Sequence, residues 1–210
     1  MVRAELGNVP IITDDNYAAT KVKAIGCQLG ADISTFSCFK LLGPEGVGVV
    51  VGSKRYITMI REMQYSGGRQ VQGHEAMAAL RGLIYAPVAL SITGSTCHEV
   101  ADRLNSGEVK HIRSAQVANA ESKAVIVEFD SNISDKVLKL APAYGAAPHP
   151  VGCESKYEFL PMFYRISATF RAKDPEWQER MIRINVMRAG ADTVIRILRE
   201  LLEAIYACNE

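Results

Sequence analysis

The chain has 210 residues, a formal net charge of +1 and 22% charged residues. This near-neutral charge gives no reason to expect a nucleic-acid or membrane-surface partner, and no apolar run approaches the ~20 residues of a membrane span. No apolar signal segment is visible near Met1, and the five scattered cysteines form no CxxC pair. Reduced cysteines in a cytoplasmic protein are therefore expected.

The first part of the chain alternates short apolar runs with turn residues. Residues 9–13, 31–36 and 46–51 are predicted to be strands, and the continuous apolar run GVGVVV at 46–51 is typical of a strand buried on both faces. Residues 16–29 are predicted to be helical or mixed, with Gly30 ending the segment.

A helical pattern follows in residues 54–63 and again in residues 72–92, where Pro87 is expected to kink or end the helix. Ser66, Gly67 and Gly68 break the chain between these two helices. A short amphipathic helix is predicted at 97–104. We place a domain boundary between residues 92 and 107, which gives domains of residues 1–95 and 96–210.

The second part has the pattern of a small α+β domain. Strands are predicted at 124–129, 163–170 and 181–186, and a helix at 134–141 with Ser134 as a plausible cap. The clearest helix is 191–207, in which the apolar residues share one stripe: Val194, Ile197, Leu198, Leu201, Leu202 and Ile205.

Two chemically useful side chains follow the first two predicted strands. Asp14 comes directly after the first strand and Lys40 shortly after the second, so both are expected at the carboxyl ends of strands, where α/β sheets bind ligands. Glycines at 43, 46 and 48 allow close backbone approach after the lysine. A lysine and a carboxylate so placed suit pyridoxal-phosphate (PLP) chemistry. Spacing alone does not separate this from an ordinary turn aspartate and an exposed lysine.

The segments around these residues resemble the fold-type-I PLP enzymes, which share the aspartate-aminotransferase fold. The stretch VPIITDDNYA (9–18) is similar to the family segment in which Asp-Asn-Thr-Phe follows a strand. The resemblance gives Asp14 the place that binds the pyridinium nitrogen, with Asp15 as the alternative. It gives Tyr17 the aromatic place.

A second stretch, GADISTFSCFKLLGPEGVGVVVG (30–52), resembles the family's Ser-x-x-Lys motif and the glycine-rich strand after it. This resemblance implies that Lys40 forms a Schiff base with the cofactor and later acts as a base on the substrate α-carbon. It also implies that Ser37 contacts the cofactor phosphate. Cys38 could touch a cofactor, but a small buried hydrophobe is the better expectation.

Two further stretches extend the resemblance. SGGRQVQGHEAMAALRGL (66–83) is similar to the family segment that opens a long helix. MIRINVMRAG (181–190) is similar to the strand whose arginine binds the substrate α-carboxylate. Arg183 fits that role best and Arg188 second, since a guanidinium is a natural partner for a carboxylate. A strand arginine is nevertheless more often an ordinary salt-bridge former.

The resemblance is greatest to the uncharacterised YhfS-type aminotransferase-like proteins. It implies an α/β fold in which residues 1–95 are part of a PLP-binding large domain, with a mixed sheet and helices, and residues 96–210 form the small domain. It implies PLP as cofactor, an amino-acid substrate, a homodimer, and either aminotransferase or α,β-eliminating lyase activity. No metal ligand set is recognised, since the histidines are isolated.

The resemblance covers only the C-terminal portion of the family, because no glycine-rich phosphate loop precedes Asp14. The chain is therefore expected to be a shortened gene product or a fragment, with weak PLP binding and little turnover alone. Strand edges and apolar faces of its first sheet would then be exposed. The alternative hypothesis is a non-catalytic remnant or interaction module of a PLP enzyme.

Overall fold

A computed structural model describes residues 2–64, 69–118, 123–148 and 158–207. The chain divides into two compact units, Met1–Ala89 and Leu90–Glu210. Each unit contains a β-sheet with helices. The α/β fold class expected from the sequence is thereby confirmed. Ser66, Gly67 and Gly68, predicted to break the chain between two helices, lie outside the described residues.

The first unit contains a three-stranded sheet in the order β1-β2-β3. Strands β1 and β2 are parallel and β3 is antiparallel to β2, so the sheet is mixed. The three predicted strands are confirmed, with ends shifted by one to three residues. The elements of this unit are α1 (Val2–Leu6), β1 (Ile12–Asp14), β2 (Ile33–Ser37), β3 (Gly48–Gly52) and α2 (Lys54–Met63).

Two predictions for this unit need correction. The segment between β1 and β2 consists of turns and a 3₁₀-helix, Gly26–Leu29, rather than a continuous helix, although it does end at Gly30, whose φ is 99°. The expectation that the third strand is buried on both faces is wrong. Most of β3 is exposed; within it Val49 is half-buried and packs against the cluster of Cys38, Val47 and Ala79.

Helix α3 (Gly73–Asn105) is a single helix of 33 residues with Pro87 inside it. The predicted break at Pro87 is wrong, and the separately predicted helix at 97–104 is the last part of α3. Pro87 is exposed, so water can reach the carbonyl that loses its helical donor. By length and composition alone α3 could cross a membrane, with 17% of its most apolar window buried. This is weak evidence for a span. The sequence analysis found no apolar run long enough to cross a membrane, and that statement holds for uninterrupted runs but does not cover the whole of α3.

The second unit contains a four-stranded antiparallel sheet in the order β4-β5-β7-β6. Its core joins β5 and β7 to the apolar stripe of α7, and every predicted stripe residue is buried. The elements are β4 (Ile112–Ala118), β5 (Ala124–Phe129), α4 (Ser134–Leu140), β6 (Met162–Arg165), α5 (Ala168–Lys173), α6 (Trp177–Arg180), β7 (Met181–Asn185) and α7 (Ala191–Ala207).

Three details of the second unit differ from expectation. The predicted strand at 163–170 ends at Arg165, because the Ser167 hydroxyl accepts the Phe170 N–H and starts α5. Ser134 is the first residue of α4 rather than its cap, and its hydroxyl donates to the Gln178 carbonyl. Strand β4 was not predicted, since its polar and apolar residues do not alternate cleanly.

Candidate functional site

The parallel pairing of β1 and β2 places the carboxyl ends of both strands at one edge of the sheet. Asp14 lies opposite Thr35, and the Asp15 N–H donates to the Thr35 carbonyl at 2.8 Å. In the next residue, Asn16, the side-chain oxygen accepts the Ser37 N–H at 2.7 Å. This amide joins the segment after β1 to the end of β2. The sequence argument quoted Asn16 within its motif but assigned it no role.

Lys40 lies in the short 3₁₀-helix Phe39–Leu41 that follows β2. Its ammonium group donates to the Tyr17 hydroxyl at 3.1 Å and lies 4.7 Å from the centre of the Tyr17 ring. The structure therefore brings together two residues that the sequence argument assigned to one cofactor site, 23 positions apart. The aromatic ring and hydroxyl restrict where the Lys40 amine can lie.

Ser37 and Cys38 complete this edge of the sheet. The Ser37 hydroxyl accepts the Phe39 N–H at 3.2 Å, which leaves its own proton available to a further acceptor. Cys38 is only 1% exposed, and burial raises the pKa of its thiol. The expectation that Cys38 is a small buried hydrophobe is confirmed.

The two candidate aspartates differ in their surroundings. The exposed Asp14 accepts the Asn16 N–H at 3.0 Å, as in an aspartate that forms a turn. Asp15 is 7% exposed and accepts from the Thr13 hydroxyl at 2.8 Å and from the Gly26 N–H at 3.3 Å. Only Asp15 is therefore a buried carboxylate oriented by two donors.

The two candidate arginines lie in the second unit. Arg183 is half-buried on β7, and its guanidinium carbon lies 4.3 Å from the centre of the Tyr164 ring. Its Nε is buried and has no hydrogen-bond partner among the described residues. Arg188 is exposed, donates to the Glu158 carbonyl and lies beside Phe159. Arg183 is the better-placed donor for an anionic ligand. Tyr164 was not singled out from the sequence.

Two family models match the chain. Aminotransferase class-V matches residues 8–127, and the YhfS-like C-terminal domain matches residues 98–198. The chain belongs to the aminotransferase class-V family, and with it to the fold-type-I PLP-dependent enzymes. The resemblance stated from the sequence is confirmed.

Individual relatives agree with this assignment. The uncharacterized protein YhfS of Escherichia coli is 52% identical over 197 residues, covering 94% of this chain and 55% of the relative. A probable cysteine desulfurase of Pseudomonas putida is 36% identical over 69 residues, covering 33% of this chain and 16% of the relative.

Solved structures are similar over nearly the whole chain. The pyridoxal-5'-phosphate-dependent protein YhfS from Escherichia coli has a TM-score of 0.89 at 50% identity, covering 97% of this chain and 56% of that structure. A cystathionine γ-lyase from Micromonospora echinospora has a TM-score of 0.64 at 16% identity, covering 96% and 58%, which shows a shared fold. The chain thus spans about half the length of the relatives that match nearly all of it.

Proposed function

We propose that this chain carries the cofactor lysine and the substrate-binding arginine of a PLP-dependent enzyme acting on an amino acid, either as an aminotransferase or as an α,β-eliminating lyase. The observation that carries the proposal is the position of Lys40. In a chain of the aminotransferase class-V family, its amine is fixed by Tyr17 beside Ser37 at the edge where β1 and β2 both end.

The polar groups at this edge match the three polar parts of PLP. The Lys40 amine suits the aldehyde, the Ser37 hydroxyl suits the phosphate, and an aspartate carboxylate suits the protonated ring nitrogen. When bound, PLP supplies an electron sink for negative charge developing on the substrate α-carbon. The residues present therefore fit the cofactor.

Lys40 is proposed to move the proton at the substrate α-carbon. A lysine amine can do this only when it is uncharged and held in one place. Tyr17 serves the second requirement, since its hydroxyl accepts from the Lys40 amine and its ring lies alongside. Tyr17 is therefore a positioning residue for the lysine.

Between the two aspartates, Asp14 was the first choice from the sequence and Asp15 the alternative. The geometry favours Asp15, because a carboxylate that must face a ring nitrogen has to be oriented by its neighbours. Thr13 and Gly26 donate to Asp15, whereas the exposed Asp14 closes a local turn. Arg183 is proposed to bind the α-carboxylate of the substrate, with Arg188 as the alternative.

A PLP titration of the chain tests the lysine assignment. The wild type in excess PLP is expected to develop an absorbance band, and borohydride reduction followed by peptide mass spectrometry should locate PLP on Lys40. Lys40→Ala should lack the band, while the exposed Lys23→Ala should retain it. A band of full intensity in Lys40→Ala, or PLP fixed to another lysine, would contradict the proposal.

The same titration tests which aspartate contributes to PLP binding. Asp15→Asn is expected to weaken PLP binding, and Asp14→Asn to leave it nearly unchanged; the reverse result would favour Asp14 as the residue that faces the ring nitrogen. Incubation with a panel of amino acids then distinguishes the two activities. Keto acid with cofactor in the amine form indicates transamination, and keto acid with released ammonia indicates elimination.

A further inference from the structure

Arg183 lies in the middle of the second sheet with an aromatic neighbour. It pairs with Ile126 on β5 and with Tyr164 on β6. The guanidinium carbon lies 4.3 Å from the centre of the Tyr164 ring, within the range of a cation–π contact. An arginine held by the face of its guanidinium keeps the N–H groups along its edge available for other partners.

The ring of Tyr164 is itself fixed from another direction. It packs against a small apolar cluster made of three buried residues, Ala147, Met162 and Met187. A ring supported in this way cannot easily turn away from the arginine. Tyr164 therefore provides a fixed surface on which the Arg183 guanidinium rests.

The hydrogen-bonding capacity of Arg183 is incompletely used. Its Nε is buried without a hydrogen-bond partner in the described part of the chain. The nearest acidic residue along the sheet, Glu128, lies diagonally on β5 and is bound instead by Arg180 at 3.0 Å and Arg113 at 3.3 Å. A buried donor left unpaired is unfavourable, and an incoming carboxylate would satisfy it in bidentate geometry.

We infer that Tyr164 is the positioning residue of a carboxylate-binding site. Its ring holds the Arg183 guanidinium by one face, so that the edge of the guanidinium, including Nε, donates to the carboxylate of an amino-acid substrate. This inference rests on the proposed role of Arg183 and adds the residue that sets its orientation. The ring face is what matters, and the Tyr164 hydroxyl is dispensable.

The test is direct carboxylate binding, observed by NMR on the 210-residue chain labelled with ¹⁵N-arginine. The Arg183 Nε–H signal is identified by its loss in Arg183→Lys. It should shift on titration with L-alanine and not with L-alaninamide, which lacks the carboxylate. Tyr164→Phe should bind L-alanine like the wild type. Tyr164→Leu should bind about fivefold more weakly, as expected for loss of a partly exposed cation–π contact.

Equal L-alanine affinity in Tyr164→Leu and the wild type would overturn the inference, as would equally weak binding by Tyr164→Phe and Tyr164→Leu. Absence of any shift in the wild type would overturn the role of Arg183 with it, while the PLP titration tests Lys40 separately. Should Tyr164→Leu not fold, the wild type alone decides. The ring must displace the Arg183 δ-proton signals upfield, and loss of that displacement on adding L-alanine contradicts the inference.

Discussion

The two units bury their apolar residues to very different extents. In the second unit, strands β5 and β7 pack against α7 in one large core that includes Phe129 and Leu198, both fully buried. Among the described residues of the first unit, a core cluster of only three buried residues is made of Cys38, Val47 and Ala79, and Cys38 lies two positions before Lys40. Most of the exposed large apolar side chains also lie in the first unit, among them Ile84, which is 69% exposed.

The large core and the residues proposed to hold the cofactor therefore lie in different units. The second unit has the closed core that an independently stable domain requires, since burial of apolar area is the main favourable contribution to folding. The residues proposed to hold the cofactor lie instead in the unit with the small core. Ligand binding there should therefore contribute noticeably to that unit's stability, because a ligand that binds only the folded form stabilises it. Exposed apolar surface of this kind also marks contact surfaces.

The largest expected effect tests the core of the second unit. Phe129→Ala should lower its unfolding free energy by about 3–5 kcal/mol, because a fully buried ring is replaced by a cavity. Ile84→Ala should change stability by less than ~0.5 kcal/mol, because that side chain is mostly exposed. Urea unfolding followed by fluorescence of Trp177, the only tryptophan, reports the second unit; hydrogen exchange reports both. Comparable losses in the two variants would show that the Ile84 face is buried in the free chain.

An intermediate effect is expected at two buried glycines of α3, one in each unit. An added Cβ at Gly82 would lie 2.8 Å from the Gly43 backbone and 2.9 Å from the Leu41 carbonyl, whereas at Gly94 its nearest described neighbour would be the Lys123 side chain, at 3.3 Å. Gly82→Ala should therefore destabilise the first unit by about 1–3 kcal/mol and weaken PLP binding, since Leu41 and Gly43 lie one and three positions after Lys40.

Gly94→Ala is the matched control on the same helix. The flexible lysine can move aside, so the ordinary helical advantage of alanine should remain, and stability should rise by up to about 1 kcal/mol. Hydrogen exchange and PLP titration of both variants check the pair. Equal stabilisation by the two alanines would mean that α3 does not press on the loop after Lys40.

The elements with clear periodicity could be predicted from the sequence. Helix α7 and strands β5 and β7 are examples, because their patterns reflect burial within their own unit. Elements that depend on a single local contact could not be predicted from the sequence. Helix α5 starts because the Ser167 hydroxyl caps it, and α3 continues through Pro87 because the surrounding helix tolerates one missing donor. The exposure of β3 depends on what covers the sheet, which its apolar composition does not reveal.

The candidate site shows the same division. That Lys40, Ser37 and Tyr17 lie near one another could be predicted from motif similarity, and the structure brings them to one edge of the sheet. Their roles toward a cofactor stay predictions. The choice between Asp14 and Asp15 could not be predicted, because the two residues are adjacent at the end of β1 and only the donors at Thr13 and Gly26 distinguish them. The role of Tyr164 could not be predicted from the sequence either, since its contact with an arginine depends on the register between two strands.

The smallest expected effect concerns a polar cluster that attaches α7 to the rest of the second unit. The Tyr206 hydroxyl donates to Asp130 at 2.9 Å, and its ring stacks on His111, with the centres 3.6 Å apart. Burial by itself raises the pKa of Asp130, but hydrogen bonds from Tyr206 and His111 outweigh it, so that the pKa of this carboxyl lies below its ordinary value of 3.8. The charged carboxylate is therefore the form that stabilises the fold.

A lowered pKa contributes stability that is present above the unfolded value and lost as the pH falls through the folded one. Tyr206→Phe should reduce the unfolding free energy of the second unit by about 1 kcal/mol at pH 7, a modest value because Asp130 is partly exposed. The difference from wild type should shrink below about pH 4 as Asp130 is protonated. Urea unfolding at several pH values checks this, with the exposed Tyr85→Phe of the first unit as control. A pH-independent difference would mean that the Tyr206 hydroxyl contributes through its hydrogen bond with Ser131, at 2.6 Å, rather than through the charge of Asp130, and the charged carboxylate would then have no part in attaching α7.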